Sequence, residues 1–241
     1  MIKFFRKIRF NFLKSGNTSN YLKYAVGEIF LVMIGILLAL QINNWNENRK
    51  QQNEFVNILK TIQKDLKTDT LVANIIIDYY KEIQENSLKI IKKEITKENF
   101  KDYPKSYSLV SRYRSFNIQS KGFEMVKNFS NKNEIQNDSL FINISQFYTA
   151  FLPIIDDSNS FVKKEVLTNI DVYKKYDWYI DWTQGNITPE IITYFTESEE
   201  YRKQVASHNL LAGKNHLLFI TSYRDNAIKV IDLIDNQLDK M

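Results

Sequence analysis

The spacing of apolar and polar positions divides the chain near residue 43 into two regimes. Residues 29–40 read IFLVMIGILLAL, twelve apolar positions without interruption. Extended to Tyr24 and Ile42, the segment has nineteen positions, of which only Glu28 and Gln41 are strongly polar. At about 1.5 Å of rise per residue, a helix of that length spans roughly 28 Å, close to the hydrocarbon thickness of a bilayer. Tyr21 and Tyr24 stand at one end and Trp45 at the other, where the aromatic belts of membrane helices lie. The pattern predicts one transmembrane helix over residues 24–42. A buried core helix is the competing reading, and the length of the apolar run weighs against it.

Beyond residue 43 the pattern stays helical and becomes amphipathic. Phe55, Ile58, Leu59, Ile62 and Leu66 recur at steps of three and four, followed by Leu71, Ile75, Tyr79 and Ile83. No Gly or Pro interrupts this stretch before Ile95, although Thr68, Asp69 and Thr70 offer a place for a bend. Unbroken, such a helix would be roughly 80 Å long and project well away from the membrane. The charged stretch 92–105 contains Pro104 and predicts a turn.

Shorter elements are expected in the middle. Asp138 and Ser139 suit the cap of a helix running through Phe147 and Phe151 and stopped by Pro153. Residues 156–160 read as a loop, with a further helix through Val166 to Tyr176. Thr188 is a good N-cap and Pro189 a good first helical residue. A long helix is expected from about Ser198 to Leu238, with Ile220, Ala227, Ile231, Ile234 and Leu238 on one stripe. Two long amphipathic helices at the ends of one domain can bury each other antiparallel. The fold class is therefore all-α: an N-terminal transmembrane helix, then a mostly helical body built as a stalk or bundle, its C-terminus returning toward the membrane. The expected division is a basic tail over 1–23, the membrane helix over 24–42 and the body over 43–241.

Charge changes the picture once it is located. The formal net charge is +5, yet Lys3, Arg6, Lys7, Arg9, Lys14 and Lys23 all precede the first acidic residue, Glu28. Without those six, 27 of the 33 basic residues face 28 acidic ones. A basic excess confined to the segment before an apolar run is an orientation signal, so nucleic acid is not an expected partner. By the positive-inside rule the tail stays in the cytoplasm and the body is exported, which places the protein in a bacterial inner membrane. Arg49 and Lys50 follow the helix closely, with Glu47 to partner them. Leu38, Ala39, Leu40 and Gln41 make a poor cleavage site, so an uncleaved signal anchor is expected rather than a removed signal peptide. The 6 Gly and 3 Pro are too few for many short strands, and the absence of Cys excludes disulfides and thiolate sites.

Residues 27–45, GEIFLVMIGILLALQINNW, followed by Asn46, Glu47, Asn48 and Arg49, resemble the signature of an uncharacterised family of single-pass, membrane-anchored proteins common in Bacteroidetes. Its members open with a similar basic tail of the MIKFFRKIR type. Residues 116–127 and 201–238 also resemble family members, more loosely. The resemblance implies an inner-membrane anchor and a helical body. It carries no activity and no catalytic residue.

The search for chemistry finds little. The glycines are scattered, so no phosphate-cradling loop exists, and no Gly-x-Ser-x-Gly elbow appears. His208 and His216 lie eight apart on an expected helix, about 80° out of phase, and read as structural or exposed rather than as metal ligands. Asp157, Ser158 and Asn159 hint at a calcium loop, but Val162 and Thr168 stand where Gly and Glu are needed. No metal or cofactor is expected.

Two features remain. Gly35 and Ala39 fall within roughly 20° of Glu28 around a helix, a small and polar face. Such a face suits a helix–helix contact with a second copy or a membrane partner; a snorkelling carboxylate beside incidental small residues is the alternative. Tyr173, Tyr176, Trp178, Tyr179 and Trp182, with Asp177 and Asp181 interleaved, suit either a platform for a sugar or peptide or the filling of a helix junction. The expected function is association through the membrane helix and stalk, without catalysis. A ligand-binding module using the aromatic cluster is the alternative.

Overall fold

The computed structural model describes residue 10, residues 18–133 and residues 139–240. Most of the basic tail and the expected cap Asp138 lie outside these described residues. Among them every regular element is helical, in keeping with the expected class. The chain divides into two compact units, Met1–Val56 and Asn57–Met241.

The first long helix, α1, covers Thr18–Ile91 without a break, so no bend forms at Thr68–Thr70. It ends at Ile91 rather than Ile95. The stop is a left-handed turn at Lys93, φ 61°, with the Lys93 amide bonded to the Ile90 carbonyl at 3.0 Å and Glu94 to Lys89 at 2.9 Å. That is the Schellman arrangement, here built without the usual glycine.

Within the first unit, the apolar part of α1 is exposed all round: in its most apolar window no residue is buried. Arg49 lies 5.3 Å from the Trp45 ring centre, and Lys50 pairs with Glu47 at 3.1 Å. The basic pair that follows the apolar run is thus engaged locally.

In the second unit, α1 buries a seam of Leu59, Ile62, Leu66, Asp69, Ala73, Ile76, Tyr80, Ile83, Ser87 and Ile90. Steps of three and four alternate along it, the period of a helix held against partners. The expected stripe through Leu71 and Ile75 is corrected: these side chains are 68% and 60% exposed. The buried line runs through polar Asp69 and small Ala73 instead.

Opposite this seam runs a continuous C-terminal helix: α6 (Glu199–His208), a wide π-helical segment (Asn209–His216) and α7 (Leu217–Leu238). Gln63 donates to Asp235, Tyr223 to Asp69, the Tyr80 ring meets His216, and Gly213 lies against Gln84. Position numbers rise on one side as they fall on the other, so the helices are antiparallel, as expected. A Cβ at Gly213 would press on the Asn209 side chain and stand 3.3 Å from the Gln84 Cα, so a glycine suits this close approach.

Helix α3 covers Ser139–Tyr173. Two expectations are corrected here. Pro153 does not stop the helix, and residues 156–160 are helical rather than a loop. Proline frees the carbonyl four residues back, on Thr149, and both residues lie on the exposed face, where water can take that carbonyl. Ile155 and Ser158 beyond it are buried, so packing carries the helix past the proline. The helix ends at Tyr173, short of Tyr176. Short helices α4 (Tyr179–Gln184) and α5 (Pro189–Glu197) follow. Thr188 caps α5 ahead of Pro189, as expected, and Ser198 caps α6.

Between α1 and helix α2 (Lys121–Asn133) the chain makes two 3₁₀ turns, Phe100–Asp102 and Ser106–Ser108, and then an extended strap over residues 110–120. Among the described residues the strap has no strand partner, and core side chains bond its backbone at Val110, Arg114, Phe116 and Gln119. Asn169 donates to the Val110 carbonyl at 3.1 Å. The Tyr80 hydroxyl donates to the Arg114 carbonyl at 2.8 Å and accepts from its amide at 3.0 Å. Asn159 does the same for Phe116, at 2.7 and 3.0 Å. Asp69 accepts from the Gln119 amide at 3.0 Å and Asp65 from the Gly122 amide at 2.9 Å, so one turn of α1 caps the start of α2. A Cβ at Gly122 would stand within 2.9 Å of the Ile62 backbone.

Asp69 also accepts from Tyr223 at 2.7 Å and from the Gln119 side chain at 3.2 Å. Burial nevertheless raises its pKa above the usual carboxylate value. Asp69→Ala would leave buried donors unpaired, costing about 3 kcal/mol, or a fall in Tm of roughly 6–12 °C. Asp69→Asn, whose amide cannot accept all these bonds, falls between. Thermal unfolding of the detergent-solubilised chain checks both; an unchanged Tm for Asp69→Ala contradicts the capping role.

Candidate functional site

Four places merit a functional question, and each is built differently. On the apolar helix, Glu28 is half-buried while Gly35 and Ala39 are open. Nothing lies within 4 Å of where a Cβ on Gly35 would stand. At Gly35 and Ala39 the helix surface is open.

The five aromatic residues singled out from sequence do gather in one place, at the junction of α3, α4, α5 and α6. Tyr173 is fully buried, with Trp182 at 5.2 Å, Phe195 at 5.6 Å, and Trp178 and Tyr194 at 5.7 Å between ring centres. Trp182 donates its indole N–H to the Tyr107 carbonyl at 2.9 Å, and Tyr179 stacks on Trp182 at 5.9 Å. Tyr176 stacks on Trp178 at 5.1 Å and donates to Glu200 at 2.5 Å. Tyr194, Phe195 and Tyr201, outside the stretch whose aromatic density stands out in the sequence, complete the cluster; their spacing on α5 and α6 is the signal available for them. Tyr173 lies inside the packing. Tyr176, Trp178 and Tyr194 also border an open hollow of about 560 Å³ beside Glu190 and Glu197.

The histidines sit in the core. His208 and His216 are both fully buried, and no described residue hydrogen-bonds either nitrogen of His208. The wide π turn after His208 lets Ala212, Gly213 and His216 all face inward. His216 Nδ1 lies 2.7 Å from Ser158 Oγ, and no described residue hydrogen-bonds its Nε2. Burial lowers the pKa of both rings to about 4. A serine beside a histidine invites a hydrolase reading, but Ser158 lies mid-helix with its side chain buried, and so weak a base is poorly matched to neutral pH. The pair ties α3 to the π segment.

The fourth place is a cleft of about 380 Å³ between α1 and the chain over residues 105–114. Arg112 and Arg114 line it from the strap, facing Asp78, Tyr79 and Glu82 on α1. No sequence motif marks it. The signal was the alternation Arg112–Tyr113–Arg114 in an extended stretch, which puts both arginines on one side. The apolar helix, the body part of α1 and nearly all of the strap form one continuous piece of chain. Residues 28–118 match a family of unknown function (DUF6090). The match takes in Glu28, Gly35, Ala39 and every residue lining the cleft, whereas the aromatic cluster and both histidines lie beyond it. No curated protein and no solved structure matches the chain.

The histidines generate a pH dependence. Their folded pKa of about 4 lies below the unfolded value near 6.5. Between those limits the unfolded state binds more protons, so stability is full above about pH 6.5 and falls as pH drops, by roughly 1.4 kcal/mol per pH unit for each ring. Asp69, whose pKa is raised, works in the opposite sense at lower pH and offsets part of the loss. Melting at pH 7, 6 and 5 should show a falling Tm, with about half the fall removed in His208→Gln. A flat profile contradicts buried neutral rings.

Proposed function

We propose that this is a single-pass protein of a bacterial inner membrane, its N-terminus cytoplasmic and its helical body outside. It acts by associating with a second copy or a membrane partner rather than by catalysis. The observation that carries the reading is the apolar stretch of α1. It is long enough to cross a bilayer, and its side chains are exposed on every side. A helix apolar all round gains nothing from water, and lipid is its natural solvent. The open face of Gly35 and Ala39 beside Glu28 supports contact with another helix, because small residues let backbones approach closely. The basic residues before Glu28 support the orientation.

A second reading rests on the hollow beside Tyr176, Trp178 and Tyr194. Aromatic rings next to carboxylates suit a sugar or a peptide.

A C-terminal alkaline phosphatase fusion should be active and should stay with membranes through carbonate washing. A stable, inserted but inactive fusion would reverse the orientation, and release by carbonate would remove the anchor. Native mass spectrometry of the protein gently extracted from its membrane should show a discrete homo-oligomer or a stoichiometric second protein, weakened by Gly35→Leu. A monomer alone contradicts association, and a monomer carrying a small bound mass favours the second reading.

A further inference from the structure

The cleft between α1 and the strap has the features of a binding site for a small anion-bearing molecule. Its floor is apolar, with Ile83 and Leu109 buried there. Its rim is charged, and the charges are unequally spent. Lys105 is committed to Glu82 at 2.5 Å. The Arg114 guanidinium lies 4.7 Å from the Tyr79 ring centre, a cation–π contact that uses its face and leaves its N–H edge unspent. Neither Arg112 nor Arg114 forms an ion pair or a side-chain hydrogen bond with a described residue. Both lie near enough to Tyr79 to favour its ionised form, although burial outweighs them and holds the phenol above its ordinary pKa.

Position matters as much as charge. The Tyr80 hydroxyl grips Arg114 by both its amide and its carbonyl, and the Tyr80 ring is itself wedged against His216 at 4.9 Å. The backbone carrying the two arginines is therefore fixed to the core before any ligand arrives, which lowers the ordering cost of binding. Arginine forks match carboxylate and phosphate oxygens in geometry as well as charge.

We propose that this cleft binds a small organic molecule bearing one carboxylate or phosphate group, its oxygens held by Arg112 and Arg114 and its apolar part laid against Ile75, Tyr79 and Ile83. Asp78, on the opposite wall, limits the choice. It disfavours a second negative charge and suits a hydroxyl or ammonium donor elsewhere on the molecule. The site is separate from the aromatic hollow and does not depend on how the membrane helix associates. It also lies wholly inside residues 28–118, the part of the chain shared with the family.

Isothermal titration calorimetry on the full chain in neutral detergent, in phosphate-free buffer, tests the proposal. The probes are phenyl phosphate and phenylacetate, with benzyl alcohol as the uncharged counterpart. Saturable one-to-one binding of at least one anion is expected, and the better binder identifies the headgroup. Arg112→Ala and Arg114→Ala should each weaken it at least about tenfold, the scale of one charge-assisted hydrogen bond. Arg112→Lys, which keeps the charge and loses the fork, should fall between, and Glu190→Ala in the hollow should change nothing. Circular dichroism confirms that each variant folds, as expected for exposed side chains. No saturation by either anion, binding indifferent to Arg112→Ala, or equal binding of benzyl alcohol would overturn the assignment.

Discussion

Seven side chains from four helices hold the backbone of a segment that, its own turns apart, pairs with no strand among the described residues. Residues 103–122 run over the body as turns, an extended strap and the start of α2, and where such a chain packs against the core its amides and carbonyls need partners. Tyr80, Asp65 and Asp69 from α1, Asn159 and Asn169 from α3, Trp182 from α4 and Tyr201 from α6 supply the missing bonds. The same bonds explain why otherwise apolar helices carry buried carboxylates and amides. Each helix is tied through the strap to others it need not touch directly, so the strap acts as a common template for the body.

This constraint also marks what could be read from sequence. The apolar run, the antiparallel long helices and the cap at Thr188 were legible, because they follow from length, period and capping chemistry alone. The inner face of α1 was not. Following apolar residues leads from Leu66 to Leu71 and Ile75, which are exposed, while the real seam passes through Asp69. A carboxylate on a core seam makes sense only once its partners, Gln119 and Tyr223, are known, and both lie far away in the chain. Pro153 misled for a related reason: the rule that proline ends helices assumes no packing on both sides of it. The sequence left the histidines as structural or exposed, and their full burial was not legible, since the π turn that brings His208 and His216 inward has no clear sequence signal.

Of the residues picked out from sequence, Glu28, Gly35 and Ala39 lie on one unbroken helix, and the five aromatic residues are neighbours in space. The cleft was missed. Its two walls come from α1 and from a strap with no periodic signature, and the arginines matter only because Tyr80 holds their backbone in place. Motif searching has no purchase on such a site. The chain therefore combines an exposed apolar helix, long enough to cross a membrane and written in composition, with a body whose chemistry depends on long-range polar contacts.

Amide hydrogen exchange along the strap tests this account most directly. The Arg114, Phe116, Gln119 and Gly122 amides donate to side chains, at 3.0 Å for the first three and 2.9 Å for the last. If these bonds hold the body together, the four amides exchange as slowly as those of the buried helices and open only with global unfolding. Asp69→Asn should then release Gln119 before the rest. Exchange at all four positions near the rate of an unstructured loop, with the helices still protected, would contradict the account.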